Sequence, residues 1–395
     1  MDRSNRVRRR ESGESVRPSP HSQAHFCCVW KRVWQHPFDT MNRRDFIKST
    51  LAAASLAGIP SDAVRAQDRE ATVRRLRVGF LGASHSHALE KVKLVLASPD
   101  YELVGICESN ESVRRRLENL GARSVSQDKL MQEAEVIAVE SGVRDHAPHA
   151  QLALAAGKHV HLEKPPADSM EAFRGLVDLA AKKRRLLQMG YMWRFHPGIN
   201  AALEAARHGW LGNVFLVRGT INTTVAPEQR PQWAEFRGGT LFELGSHLID
   251  PVVRLLGRPE KLTSFLKSHG GPNDGLADNT VAILEYPKAL AIVSSATLQP
   301  GAGSHRFFEI QGTNGTALVK PIEPPSFQID LARAAGPYRT GLQTLQMPAY
   351  RRYLPEFDEL AKCIRGGKPL SVTPREDLEV HETLIRACDM AQKPG

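Results

Sequence analysis

A lysine closing an apolar strand, and a histidine set among carboxylates at helical spacing, are the residues of this chain best suited to chemistry. Lys164 ends the run Gly157-Lys158-His159-Val160-His161-Leu162-Glu163-Lys164-Pro165-Pro166. The run reads as a helix C-cap glycine, a short strand and a stop at two prolines. Proline holds the residue before it in an extended or turn conformation. Lys164 is thereby placed at the carboxyl end of a strand, where open α/β sheets bind ligands. A lysine partly desolvated there has a pKa lowered toward the range of proton transfer. The competing reading is a solvated lysine ahead of a loop.

The second constellation lies in Gly238-Gly239-Thr240-Leu241-Phe242-Glu243-Leu244-Gly245-Ser246-His247-Leu248-Ile249-Asp250. Glu243, His247 and Asp250 are spaced four and three apart, so they share one helical face. A carboxylate that orients a histidine fixes its tautomer and raises its basicity, as a general base requires. An ordinary surface ion pair and a metal site compete with this reading. Because no third ligand stands at suitable spacing, no metal is expected.

These side chains need a frame, and the upstream sequence supplies one. Arg75 to Gly82 is a mostly apolar strand running into a glycine turn, followed by Ser84, His85 and His87 and the amphipathic stretch Ala88 to Ala97. In a nucleotide-binding βαβ unit such a turn aims backbone N–H groups and a helix N-terminus at a pyrophosphate. The glycine pattern is incomplete, with Ser84 and His87 at its second and third positions. A second strand, Glu102 to Cys107, ends on Glu108, which suits a ribose 2′-hydroxyl and favours NAD over NADP. Arg114, Arg115 and Arg116 weaken that preference, although they also read as a solvated helix face. Strand and helix patterns alternate from Arg75 to Met189, which predicts a doubly wound parallel sheet. From Tyr191 onward, short strands between turns such as Gly312-Thr313-Asn314-Gly315 predict a mainly antiparallel sheet, with two helices closing the chain.

Together these motifs resemble the glucose–fructose oxidoreductase, inositol dehydrogenase and MocA family over Arg75 to Ala391. The resemblance rests on Glu163-Lys164-Pro165, on Gly238-Gly239 leading to Gly245-Ser246-His247 and Asp250, and on the glycine turn. Arg194-Phe195-His196-Pro197 and Phe308 to Gly315 also fit. It implies an N-terminal Rossmann-like domain, residues 73–190, and an α+β substrate and oligomerisation domain with an open-faced sheet, 191–395. It implies Lys164 and His247 as catalytic residues, with Glu243 replacing the usual aspartate. Cofactor contacts are expected at Gly79, Gly82, Ser84, His85, Glu108, Glu163, Lys164 and Pro165, and substrate contacts at Trp193, Arg194 and Asp250. Tyr191, Trp233 and Arg237 are further candidates for a polyol. Glu140-Ser141 departs from the Thr-Pro of many members. The implied activity is NAD(P)-dependent oxidation of a secondary alcohol on a sugar, cyclitol or derivative, by a protein that oligomerises. Redox-neutral glycoside cleavage or epimerisation, and nucleotide-dependent sensing without catalysis, are the alternatives.

The start of the chain carries a different message. Asn42-Arg43-Arg44-Asp45-Phe46-Ile47-Lys48 precedes a short Ala-rich apolar run and the small residues Val64-Arg65-Ala66. This reads as a twin-arginine (Tat) export signal, within a leader at 1–66, and the apolar run is too short to span a bilayer. Periplasmic or other exported localisation, with the Tat machinery as partner, is expected. Met41 directly before the motif is an alternative start. The leader accounts for +6 of the net +10, leaving +4 for residues 67–395, so the basic balance gives no support for nucleic-acid binding. Cys107, Cys363 and Cys388 remain beyond the leader, an odd number that predicts no disulfide framework.

Overall fold

The computed structural model describes residues 74–270 and 273–391, which lie within one compact unit, Val73–Gly395. The twin-arginine segment and its cleavage site lie outside the described residues. Five strands, β1 (Leu76–Leu81), β2 (Tyr101–Cys107), β3 (Val136–Val139), β4 (His159–Glu163) and β5 (Leu187–Gly190), form a parallel sheet in the order β2-β1-β3-β4-β5. Their apolar side chains are buried on both faces, as in β3, where all four residues are buried. The connecting helices are α1 (Ala88–Leu96), α2 (Glu111–Glu118), α3 (Gln127–Glu133), α4 (Val143–Ala155) and α5 (Met170–Lys183). Strand order reverses beside β1, so the carboxyl ends of β1 and β3 flank the crevice where such sheets take ligands.

Beyond β5, α6 (Pro197–Arg207) leads into β6 (Val214–Asn222), then the short α7 (Arg230–Ala234) and α8 (Ser246–Leu256). Strands β7 (Lys261–Lys267), β8 (Asn279–Tyr286), β9 (Ala289–Ala296), β10 (Phe307–Gly312), β11 (Gly315–Val319), β12 (Phe327–Leu331) and β13 (Gly341–Leu345) complete an eight-stranded sheet. Its order is β13-β12-β11-β10-β6-β9-β8-β7. The β6–β9 pair is parallel and the remaining pairs are antiparallel. Alternation is clear in β9, where Ala289, Ala291, Val293 and Ser295 are buried and Leu290 is exposed. Helices α6 and α8 cover the buried face. The architecture is a Rossmann-like α/β half joined to a mainly antiparallel α+β half, as the sequence pattern predicts.

The last two helices, α9 (Leu354–Gly366) and α10 (Pro374–Ala387), return to the first half. Tyr101 Oη donates to the Phe357 carbonyl at 2.8 Å, and Gln188 Nε2 donates to the Glu356 carbonyl at 3.1 Å. The two halves therefore share a core that a boundary at 190/191 would cut. Phe357, Leu360 and Ala361 of α9 are buried because the helix crosses over.

Candidate active site

The glycine turn after β1 is shaped for close approach. Gly82 has φ +72°, and a Cβ there would overlap Ser141 at the end of β3, so only glycine fits without strain. Ala83 N donates to Glu108 Oε2 at 2.5 Å, which fixes the turn against the end of β2. The first turn of α1 has no side-chain cap; Ala88 N donates to the His85 carbonyl at 3.1 Å and His87 N to His85 Nδ1 at 3.3 Å, and the helix N-terminus still favours an anion through its dipole. Ser84, His85 and Ser86 line a cleft of ≈ 480 Å³ whose wall continues onto Val113 and Arg116 of α2. Gly79 instead lies inside β1, where a Cβ would overlap Leu130. It serves strand–helix packing.

The opposite wall comes from the C-terminal half, through Thr223, Gln232, Trp233 and Phe236. This segment is tied to both halves. Glu235 pairs with Arg144 of α4, and Arg230 pairs with Asp274 at 2.5 Å and Asp278 at 3.2 Å. Trp233 thus lines the cleft, while Arg237 is exposed and paired with Asp389. Arg116 is legible in the sequence only as part of a helix face, yet it borders the cleft near the end of β2.

At the inner edge of the cleft, Lys164 is 1 % exposed. Its Nζ donates to Glu243 Oε1 at 2.6 Å and to the Glu243 carbonyl at 2.9 Å. The same Oε1 lies 3.4 Å from His85 Nε2. Burial opposes ionisation of Glu243, but the Lys164 ammonium and His85 outweigh it and hold the carboxyl well below its usual range. Regular helical spacing would aim Glu243 at His247, and the structure differs. Leu241–Gly245 forms a π-turn ahead of α8, whose wider turn takes positions four apart off one line. His247 Nδ1 is buried without a hydrogen-bond partner. Its ring packs 5.4 Å from Trp193 and 6.2 Å from Tyr191, centroid to centroid. Burial first, and the Lys164 charge second, push His247 well below the ordinary histidine range. The imidazole is neutral at pH 7, so it can accept a proton.

Behind the site is a buried charge cluster that sequence patterning does not reveal. Lys91 of α1 is fully buried and donates to Glu140 Oε1 at 2.7 Å and to Glu163 Oε2 at 2.5 Å, with His161 Nε2 at 2.9 Å. Burial would lower the Lys91 pKa, but Glu140 and Glu163 together raise it. Glu140 itself is pushed up to about 8 by burial, against the pull of Lys91. Thus Glu163 and Glu140, at the ends of β4 and β3, brace the sheet through one ammonium. His146 braces the adjoining loops, with ring nitrogens 2.7 Å from the Pro165 carbonyl and 3.0 Å from the Ser141 carbonyl.

Two expected substrate contacts are engaged elsewhere. Arg194 Nε and Nη2 donate to Asp250 Oδ1 at 2.9 and 2.7 Å, and Nη2 also donates to Asp377 at 2.6 Å. The guanidinium lies 4.7 Å above the Tyr191 ring. This closed network joins the turn at Met192–Phe195 to α8 and α10. It engages Nε and Nη2 of Arg194 and Oδ1 of Asp250, so both residues serve the scaffold. Trp193 remains beside His247.

The residues fit a dinucleotide: a glycine-only turn, an uncapped helix N-terminus, an acid at the end of β2, and a cleft running between them. Comparison with known proteins agrees. Residues 76–191 match the model of the oxidoreductase family with NAD-binding Rossmann fold, and residues 199–318 match the GFO/IDH/MocA C-terminal domain. The chain is 25% identical over 347 residues to scyllo-inositol 2-dehydrogenase (NADP(+)) IolW of Bacillus subtilis (strain 168), covering 81% of this chain and 95% of that protein. It is 32% identical over 198 residues to D-glucoside 3-dehydrogenase of Escherichia coli (strain K12), covering 47% of this chain and 55% of that protein. Among solved structures, GenD2 from gentamicin A biosynthesis in complex with NAD shares the fold with a TM-score of 0.68 at 22% identity, covering 80% of this chain and 95% of that one. Two matching models in tandem, spanning more than half of the sequence, place this chain in the GFO/IDH/MocA family of NAD-binding oxidoreductases.

Proposed function

We propose that this protein oxidises a secondary alcohol of a sugar or cyclitol with NAD, or with NADP as the alternative where Arg116 meets a 2′-phosphate. The observation that carries the reading is the Lys164–Glu243 pair at 2.6 Å on the inner edge of the cleft, beside a neutral His247 with an unpartnered nitrogen. The nicotinamide, when bound, accepts the hydride. His247 takes the hydroxyl proton, and the Lys164 ammonium stabilises the alkoxide as it develops. Glu243 keeps Lys164 aimed. Dehydrogenases of inositol and glucoside among the relatives support this substrate class.

The cofactor is held between turnovers and re-oxidised in place, by a second sugar or by a redox-neutral sequence. Two features support this: the twin-arginine leader, which reads as export of a folded protein to the periplasm, and the tethered segment at Gln229–Phe236 that walls the cleft. The exposed outer sheet face, bearing Phe265 and Leu290, is the candidate surface for a homo-oligomer. A single-turnover assay with a sugar and cyclitol panel, read at the nicotinamide absorbance, tests the reading. Reduction of bound cofactor by one substrate class supports it; no absorbance change and no product with any member contradicts it.

A further inference from the structure

Among the described residues, one group of histidine and carboxylate side chains is close enough to hold a metal: His85, His87 and Glu163, with one ligand atom from each lying within 4.8 Å of the others. His87 Nδ1 is 3.2 Å from Glu163 Oε2, and His85 Nδ1 is 4.0 Å from the same oxygen. His87 Nδ1 is buried, yet makes no aligned hydrogen bond. We propose that His85, His87 and Glu163 bind one divalent transition-metal ion at the inner end of the dinucleotide cleft, with zinc the best match to two imidazoles and a carboxylate.

Spacing supports the assignment. Ligands about 2.0–2.2 Å from zinc can be no more than about 4.2 Å apart, and the two separations to Glu163 already meet that limit. The partners of the ligands fit as well. A histidine ligand commonly gives its second ring N–H to a carboxylate, which fixes its tautomer. His85 turns Nε2 toward Glu243 Oε1 at 3.4 Å, while Nδ1 lies 4.0 Å from Glu163 Oε2 and accepts the His87 backbone N–H at 3.3 Å, a long bond that the ion would replace. Glu163 Oε2 also accepts from Lys91 at 2.5 Å, an outer contact that fixes the carboxylate and leaves it a lone pair.

Nucleotide binding alone does not account for His87. The third fingerprint position serves close packing of helix on strand, for which glycine is the usual residue. Here an imidazole fills it and reaches the end of β4. Two ammonium groups, Lys91 and Lys164, stand near the ion's place, and each is paired with a carboxylate, Glu163 at 2.5 Å and Glu243 at 2.6 Å. Two histidines and one glutamate leave a fourth tetrahedral position for water or a substrate hydroxyl, the pattern of catalytic zinc sites.

The test uses the full chain, stripped with a chelator, dialysed against Zn²⁺ and analysed for metal by mass spectrometry. His21, His25, Cys27 and Cys28 of the leader can also take up metal, so the readout is the difference between wild type and variants. His87→Gly and His85→Gln are each expected to lose one equivalent while their circular dichroism is unchanged. Glu243→Gln is expected to keep the equivalent with affinity weakened about 10–100-fold. Cobalt substitution should give the visible bands of a tetrahedral N/O site in wild type and not in His87→Gly. Equal metal content in wild type and both histidine variants overturns the proposal, whether or not nucleotide binds.

Discussion

The carboxylate of Glu243 accepts a hydrogen bond from the Lys164 ammonium at 2.6 Å across 79 residues of sequence, joining the end of β4 to the turn before α8. The pair spans the two halves of the molecule at the edge of the cleft. Lys164 is thereby fixed in position by a group that stays ionised through the neutral range.

Replacing that charge is expected to separate chemistry from binding. Lys164→Met should lower kcat by about 10²–10⁴-fold, the usual range for a positioned acid–base or electrostatic group. Dinucleotide affinity should change far less, because the glycine turn is untouched. Glu243→Asp should retain part of the activity lost in Glu243→Ala. Stopped-flow hydride transfer and equilibrium nucleotide binding check these outcomes; equal losses in both measurements would mean that Lys164 only holds the cofactor.

His247 has a pKa depressed by burial and by the Lys164 charge. Its neutral form persists as pH falls past 6.5, so the acid limb of kcat/KM should lie well below that value. An acid limb at 6.5 or above, in a profile that His247→Asn does not alter, would remove His247 as the base.

Lys91→Met leaves Glu163 and Glu140 buried without their shared cation. Breaking a buried ion pair by removing one partner costs about 3–5 kcal/mol, and urea unfolding should show a loss of that order. Lys91→Met combined with Glu140→Gln should recover part of it. A change under about 0.5 kcal/mol would show that the cluster does not brace the sheet.

Stability should peak near pH 6.5, for reasons of opposite sign. His87 and His146, held at about 4 by burial, bind protons in the unfolded chain before the folded one. Stability therefore falls as pH drops below 6.5. Glu356 is buried with both oxygens unpartnered, and burial pushes its carboxyl up to about 8. Its folded pKa is raised, so its contribution is present below the ordinary glutamate value and lost as pH rises toward 8. A one-proton difference gives a slope of about 1.4 kcal/mol per pH unit. Glu356→Gln should flatten the decline between pH 6.5 and 8, as followed by denaturant midpoints; an unchanged slope would contradict the assignment.

Periodic and punctuated features were the legible ones in the sequence. The buried runs of β1 and β3, the Gly82 turn and the Pro165-Pro166 stop each leave a local mark, so the parallel sheet and the position of Lys164 could be read directly. Local spacing failed where structure departs from a regular helix. The π-turn at Leu241–Gly245 sends Glu243 to Lys164 and His85, and a period of 3.6 cannot foresee that. Lys91 sits on the buried face of an amphipathic helix, and only the long-range meeting with Glu140 and Glu163 explains a charge there. The bond of Arg194 to Asp377, 183 residues away in sequence, left no local mark either. His87 was legible as a gap in a glycine pattern, with His85 two residues before it, and Glu163, which both approach, lies at the end of β4.

Retention of a dinucleotide in the cleft is tested most directly by the nucleotide content of the protein purified without added cofactor. The protein is denatured and the supernatant assayed for NAD(H) and NADP(H) by mass spectrometry. Near-stoichiometric dinucleotide is expected, retained between the glycine turn and the tethered Gln229–Phe236 segment. An empty protein that also fails to bind added NAD or NADP would contradict both the cofactor and the chemistry built on it.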